Sequence, residues 1–460
     1  MPRPDLHLVT PEGWLSRGEA FVTGQGQQLA VLGGIPGESC KVRVDARGAH
    51  KVHGRYVAAD GPRSAERVDP PCDRYALCGH CPWMHLNPAG QGRARRWLLE
   101  QALSSAGVRP TRIDPLVPAG RLLYEIDLRA GRSDEGHPRI GVTGVDHQLV
   151  PIPECPVTTP GLREIMKIAA WHMVDLRIEP FVGGRGVLLG VRAIEAPGSG
   201  EQLILIRATR RIPQIEPYAE QLASGHAHIV GILVRYEDPD VPDTPPGSTL
   251  LYGRPTFDWA AGEHRLRVGL HDGFPANPEG ALALTRGAIQ SLNPQKGDAV
   301  VVLGDALGLF SLAAARKTGW ALGVVPDPLA LEHIRENATR NRSNAEFCAG
   351  DADEVLTSVT TRLGGLRPMV IVDLDRHTLA DSVRAGLLAL DPRRVLLLST
   401  NPRALAREVA LLQPAGLELR VFTPYDTAPF TPHGVTSALL VSNDLTGPTR
   451  RAPQRRLLRP

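Results

Sequence analysis

Three cysteines crowd into ten residues in the run Cys72-Asp-Arg-Tyr-Ala-Leu-Cys78-Gly-His-Cys81-Pro-Trp-Met-His85. That density reads as metal-ligand spacing rather than as disulfide bridging. A C-x5-C-x2-C triplet needs a fourth ligand, and Cys155, in Pro-Ile-Pro-Glu-Cys-Pro, is the well-placed candidate that remains. Four thiolates suit either zinc or an iron–sulfur cluster, and spacing alone does not choose between them. Gly79 frees the backbone so that two thiolates can face one centre. His80 and His85 could also ligate, although a loop histidine is more often a surface or hydrogen-bonding group.

The elements that must position these thiols belong to an ordinary globular chain. Its 460 residues allow about three domains, and a hydrophobic share of 42% allows sizeable cores. A net charge of +3 means that any basic surface is local. Six cysteines are too few for a disulfide scaffold. The start, Met1 to Thr10, lacks the apolar run of a signal peptide, and no stretch approaches the ~18 apolar residues of a membrane span. A soluble protein of a reducing compartment, the cytoplasm, is expected.

Residues 1–58 hold short alternating runs at Glu19–Thr23, Gln27–Leu32, Cys40–Asp45 and Lys51–Ala58, most of them separated by Gly-rich turns. This pattern predicts a small β-barrel. Lys41, Arg43, Arg47, Lys51 and Arg55 stand there against Asp45, so one face could meet phosphate. A solvated, charge-guarded edge strand is the competing reading. Residues 59–280 read as a Cys-bearing α+β section, with a helix near Arg93–Ala106 and strands near Val187–Ile194, Gln202–Arg207 and His228–Arg235. The Glu237–Ser248 stretch is a loop rich in Pro and Asp.

Residues 281–445 alternate apolar strands (Ala299–Leu303, Trp320–Val325, Met369–Asp373, Val395–Leu398) with helices (Leu309–Lys317, Pro328–Asn341, Ala380–Leu390, Pro402–Leu412). Such βα units predict a parallel, doubly wound sheet. Residues 446–460 form a tail with five arginines and no acid, suited to phosphate, with a merely solubilising terminus as the alternative.

The cysteine pattern, followed by His85-Leu86 and the distant Cys155-Pro156, resembles that of the bacterial RNA uracil-5-methyltransferases. The turn Ile35-Pro36-Gly37-Glu38 is similar to one in the barrel of that family. The resemblance covers nearly the whole chain. It implies a multidomain α/β architecture: an N-terminal OB-like barrel called the TRAM domain, a central cluster-bearing α+β section, and a C-terminal Rossmann-like class I methyltransferase domain. It also implies a [4Fe-4S] cluster on Cys72, Cys78, Cys81 and Cys155, as in the branch that modifies 23S rRNA. With it, a cluster is favoured over zinc.

The family methylates uracil C5 with S-adenosyl-L-methionine. A Cys thiolate adds to C6 of the base, which is typically flipped out of its RNA context, and a Glu later removes the C5 proton. The resemblance places that Cys, from a Ser-Cys-Asn-Pro motif, at Thr400 in Ser399-Thr400-Asn401-Pro402. It places the Glu at Val435, in Asp426-Thr-Ala-Pro-Phe-Thr-Pro-His433-Gly434-Val435. A Thr hydroxyl ionises far above a thiol and does not add to uracil without a strong base beside it.

The cofactor positions depart as well. Asp-Leu-x-Cys-Gly-x-Gly-Asn-Phe corresponds to Val302-Leu303-Gly304-Asp305-Ala306-Leu307-Gly308-Leu309-Phe310: the second glycine, Gly308, stays, the first is Ala306 and the Asn is Leu309. The ribose-gripping Glu is Val325, which offers no acceptor, and the Gln of Phe-Phe-Gln-x-Asn is Pro275. Asp-Pro-Pro-Arg has become Asp373-Leu374-Asp375-Arg376. Asp351 and Asp373 survive. Each lost charged hydrogen bond costs roughly 1.5–3 kcal/mol of binding. Cys348 is expected to be a buried strand cysteine rather than a substitute nucleophile.

The expected protein is therefore an RNA-binding iron–sulfur member of the family that acts on or near rRNA or tRNA. It is a pseudoenzyme with respect to uracil-5 methylation, and its S-adenosylmethionine binding is much weakened. The alternatives are an active S-adenosylmethionine-dependent RNA methyltransferase of altered chemistry, whose ribose or nitrogen target needs no C6 adduct, and a cluster-based redox protein.

Overall fold

The structure, a computed structural model, describes residues 6–24, 27–47, 51–238, 247–325, 327–350 and 352–444. The Arg-rich tail, Asp351 and most of the Glu237–Ser248 loop lie outside them.

The N-terminal runs become a six-stranded sheet. Gln27–Leu32, Cys40–Arg47 and Lys51–Ala59 fall where the alternation predicts them, and Leu6–Val9 and Gly13–Trp14 are additions. Cys40–Arg47 pairs with both Leu6–Val9 and Lys51–Ala59, so the basic strands lie inside the sheet. The edge-strand reading is thereby corrected. The phosphate-facing reading also loses ground, because Arg43 and Arg55 both pair with Asp45 and Lys41 pairs with Asp60. The side chains of Arg47 and Lys51 lie outside the description.

The helix after the cysteine triplet starts at Pro88, earlier than its apolar pattern suggests. Asn87 accepts the Gly90 N–H as N-cap, and Pro88 takes the first-turn position where its missing N–H costs nothing. This helix, Pro88–Ser105, packs on Pro402–Leu412 of the C-terminal section through Leu99, Ala102 and Leu103. The chain around Ile113 and Val117 then bridges to Phe422 and Tyr425. The cysteine-bearing section is thus threaded onto the C-terminal sheet rather than tethered beside it.

Seven central strands form one sheet with Thr249–Gly253 at one edge and Leu149–Val150 at the other. The helices Pro160–Asp175 and Ile215–Ala223 cover one face. The other face, through Leu203, Leu205 and Leu233, shares a core with the hairpin Thr256–Gly269 and with the C-terminal section.

The C-terminal sheet holds five parallel strands, with Ala345–Ala349 at the edge, and two antiparallel strands, Leu417–Pro424 and Thr436–Ser442. The expected all-parallel sheet is corrected at these last two, whose alternation was not singled out in the sequence. Val325, Asp373 and Ser399 end their strands at the same edge of the sheet. That edge is where open α/β sheets bind ligands.

Candidate functional site

The four cysteines meet. Cys72, Cys78, Cys81 and Cys155 line one cavity of about 510 Å³ with mostly apolar walls. The short helix Tyr75–Cys78 ends at Gly79 with φ +72°, a left-handed conformation that turns the chain back and brings Cys81 to the cavity. Burial first, and the neighbouring thiols after it, push the Cys81 thiol up. Burial likewise raises Cys72 and Cys155, each facing other thiols of the set. Among the described residues no group of three or more His, Cys, Asp or Glu is set to hold a metal ion.

His85 is structural. Its ring is buried, its Nδ1 meets the Tyr75 hydroxyl at 2.8 Å and its Nε2 meets the Gly34 carbonyl at 3.1 Å. Burial, aided by the Arg67 charge, pushes its pKa down to about 4. His80 is exposed, with its Nδ1 3.2 Å from the Cys78 sulfur.

The same cavity touches the loop after Leu417–Pro424, for Thr427, Ala428, Pro429 and Thr431 complete its wall. That loop ends at Val435. Ser399 pairs with Thr436 at the end of the antiparallel ladder, and Thr400 and Val435 follow those two residues outward at the same sheet end. The two positions expected to hold nucleophile and base thus lie at one end of the sheet, one carrying a hydroxyl and the other an apolar side chain. The Thr400 hydroxyl donates to the Asp375 carbonyl at 3.1 Å, and its N–H donates to the same oxygen at 2.9 Å. Val435 packs against the hydrophobic core, and its N–H donates to the Thr427 hydroxyl.

The glycine-rich turn is filled from within. Asp305, fully buried, accepts the N–H groups of Phe310 at 3.3 Å and Ser311 at 2.8 Å. These are first-turn donors of the helix Leu309–Thr318, the place where this fold ordinarily receives an anionic ligand. Burial raises the Asp305 carboxyl, opposed by those same bonds. Sequence reasoning read Asp305 only as a departure, and its position four residues before a helix was the available capping signal.

Gly308 is kept for packing: at φ +78°, an added Cβ would come within 3.0 Å of Ile334 and 3.1 Å of Phe347. Val325 is fully buried and Leu309 lies in the same core. Asp373 ends its strand with an open outer side. The surrounding wall, and then the charges of Asp375 and Asp305, push its carboxyl up to about 6. Asp351 lies outside the described residues. Asn277 is retained as a strut, capping the next helix through Gly280 N–H and donating to Gly120 O at 2.8 Å. Cys348 is half-buried on its strand, and burial raises its thiol, as a structural cysteine requires.

The chain was compared with known proteins. It is 29% identical over 431 residues to a 23S rRNA (uracil(1939)-C(5))-methyltransferase of Azoarcus sp., covering 90% of this chain and 93% of that protein. It is 27% identical to an uncharacterized RNA methyltransferase of Streptomyces avermitilis, covering 91% and 94%. Both relatives, and others like them, carry the name RNA methyltransferase, and the chain is similar to them over about nine-tenths of its length. No family model matches the chain. Its fold is shared with the tRNA (uracil-54, C5)-methyltransferase of Pyrococcus abyssi, solved with S-adenosyl-L-homocysteine, at a TM-score of 0.72 and 20% identity over 95% of this chain and all of that one. The mixed α/β architecture with a Rossmann-like domain is the expected one. No described helix is long and apolar enough to cross a membrane.

Proposed function

We propose that this chain is an RNA-binding, iron–sulfur member of the RNA methyltransferase family that no longer methylates uracil C5 by the family route. The observation that carries the proposal is that Thr400 and Val435 stand just beyond the paired Ser399 and Thr436, at the positions where nucleophile and base are expected. One hydroxyl is held by a backbone carbonyl, and one apolar side chain packs as core. A hydroxyl so placed lacks the base that would make it a nucleophile. Beside them the turn that should receive cofactor is capped by Asp305, and the strand end that should grip ribose is the buried Val325.

Cys72, Cys78, Cys81 and Cys155 would hold the cluster. The chemistry of the donor set fits, since four thiols line one cavity and thiolates suit an iron–sulfur cluster. Bound there, a cluster would supply a crosslink between the cysteine loops and a redox-active centre. Gly79 turns the chain toward it, Arg163 fixes the Cys155 carbonyl at 3.2 Å, and the apolar wall limits water. RNA is the proposed partner, by likeness to the rRNA and tRNA enzymes named above.

The test is to incubate anaerobically purified chain with methyl-labelled S-adenosylmethionine and unmodified rRNA and tRNA, then digest to nucleosides. The proposal expects no labelled 5-methyluridine. A second reading, an active enzyme of altered chemistry, draws on the surviving Asp373 and on the cofactor product bound by the Pyrococcus abyssi enzyme. Label in any other nucleoside would establish it.

A further inference from the structure

Three cavities lie in a row along the edge of the central sheet. The cysteine cavity shares Leu128, Ile152 and Pro153 with a groove of about 590 Å³ between the strand Pro138–Thr143 and the helix Pro160–Asp175. That groove shares Arg139 and Pro151 with a third cavity of about 580 Å³. The functional reading above uses only the first.

Trp171 stands in the middle groove and is 72% exposed. It has no part in the core, because the helix buries Leu162, Ile165, Met166, Ala169 and Met173 instead. Val174, one turn along, is 53% exposed, so the helix shows solvent an aromatic ring and an apolar neighbour. The surroundings are cationic. Arg139 and Arg129 have no acidic ion-pair partner among the described residues, and Arg129 donates only to the Thr143 hydroxyl, at 3.2 Å. Arg132 and Lys167 are already matched, to Glu179 and Glu154. Asp134 and Glu135 also line the third cavity, and Arg139 lies within electrostatic reach of Glu135, so the net field is modest and the two guanidiniums, neither locked in an ion pair, carry the attraction.

We propose that this edge is a second RNA contact, where a single-stranded nucleotide stacks its base on Trp171 and lays its phosphates on Arg139 and Arg129. The proposal rests on the RNA reading above. A flat exposed ring offers a face to any base, and guanidinium forks match phosphate oxygens in pairs. The exposed aromatic ring beside two guanidiniums favours a polyanion that carries flat bases over an apolar protein segment, which would leave both arginines without partners.

The test uses the full chain and a fluorescein-labelled single-stranded RNA of mixed sequence, about 12 nucleotides long, titrated by anisotropy at several salt concentrations. Trp171→Ala is expected to weaken binding about tenfold with the salt dependence unchanged, and Trp171→Phe to restore most of it. Arg139→Ala should lower the slope of log affinity against log salt by about 0.7. Trp171 is on the surface, so loss of fold does not confuse the result. If the wild-type chain binds RNA with a salt dependence and Trp171→Ala binds equally well, this second contact is overturned while the RNA reading stands, and a protein becomes the occupant to seek. If the wild-type chain binds without salt dependence, or not at all, the RNA reading falls and takes this proposal with it.

Discussion

The backbone N–H of Trp83 donates to the carbonyl of Phe430 across 2.9 Å. Trp83 lies two residues past Cys81, and Phe430 lies in the loop that runs to Val435. The cysteine loop and the loop of the former base position are therefore one structural unit, not two neighbouring sites. Arg95 strengthens the join from below: its Nη2 reaches Asp426 Oδ1 at 2.7 Å, Thr431 O at 2.8 Å and Ala428 O at 3.1 Å. A cluster that crosslinks the cysteines would thus hold the 426–435 loop as well. On the proposed reading, the four thiols would then serve the fold independently of any chemistry at Thr400.

The first prediction concerns the metal. Chain purified without oxygen should carry about four irons and matching acid-labile sulfide. Cys81→Ser and Cys155→Ser should each lose most of both, while Cys348→Ser should keep them. Stoichiometric zinc with no iron in the wild-type chain would refute the cluster.

The second concerns Arg95. Arg95 and Asp426 are both buried, and burial lowers the guanidinium pKa against the pull of that carboxylate. Removing one partner strands the other charge, so Arg95→Ala should cost about 3–5 kcal/mol, read as a fall in melting temperature. An unchanged melting temperature would show that the loop is held by other contacts.

The third is a pH dependence. His85 is buried neutral beside the Glu38–Arg67 pair, with its pKa pushed down to about 4 from an ordinary 6.5. Unfolded chain binds this proton more readily, so the stability is full above pH 6.5 and is lost as pH falls from 6.5 toward 4. The loss is on the order of 3 kcal/mol. His85→Gln, which keeps hydrogen-bonding capacity but does not titrate, should flatten the melting temperature across that window. A profile identical to wild type would remove His85 as the cause. Glu38 acts lower: burial raises its carboxyl, but Arg67 and the Ser64 N–H outweigh that and lower it overall. Its contribution is present above pH 4.5 and fades below.

The sequence was informative where one residue type can do one job. The alternating strands and helices of the C-terminal section follow from apolar periodicity, and Met369–Asp373 and Pro402–Leu412 coincide with expectation at both ends. The convergence of Cys155 with the triplet was readable because thiols in such spacing have few other uses. What was not readable depends on partners distant in the chain. Nothing near Arg55 says that Asp45 neutralises it. The Trp83–Phe430 bond joins residues with no shared motif. The two antiparallel strands were missed because a half-buried strand beside a loop carries a weak periodic signal. Asp305 was misread because a capping carboxylate and a lost ligand contact look alike until the helix start is placed.

The fourth prediction follows from that cap. Thr400→Cys with Val435→Glu restores both family residues, yet it should not restore methylation of uracil, because Val325 and Leu309 are buried in the core and Asp305 caps the turn where the cofactor is expected. Labelled 5-methyluridine from the double variant would show that the cleft remains competent and that only the catalytic pair was lost.

The central claim is that the cleft no longer takes S-adenosylmethionine, and isothermal calorimetry on anaerobically purified wild-type chain tests it most directly. Loss of two or three charged hydrogen bonds weakens binding by orders of magnitude. The account therefore predicts no measurable heat of binding at millimolar cofactor. Micromolar affinity would contradict it and would make this chain an active-site variant of its family rather than a retired one.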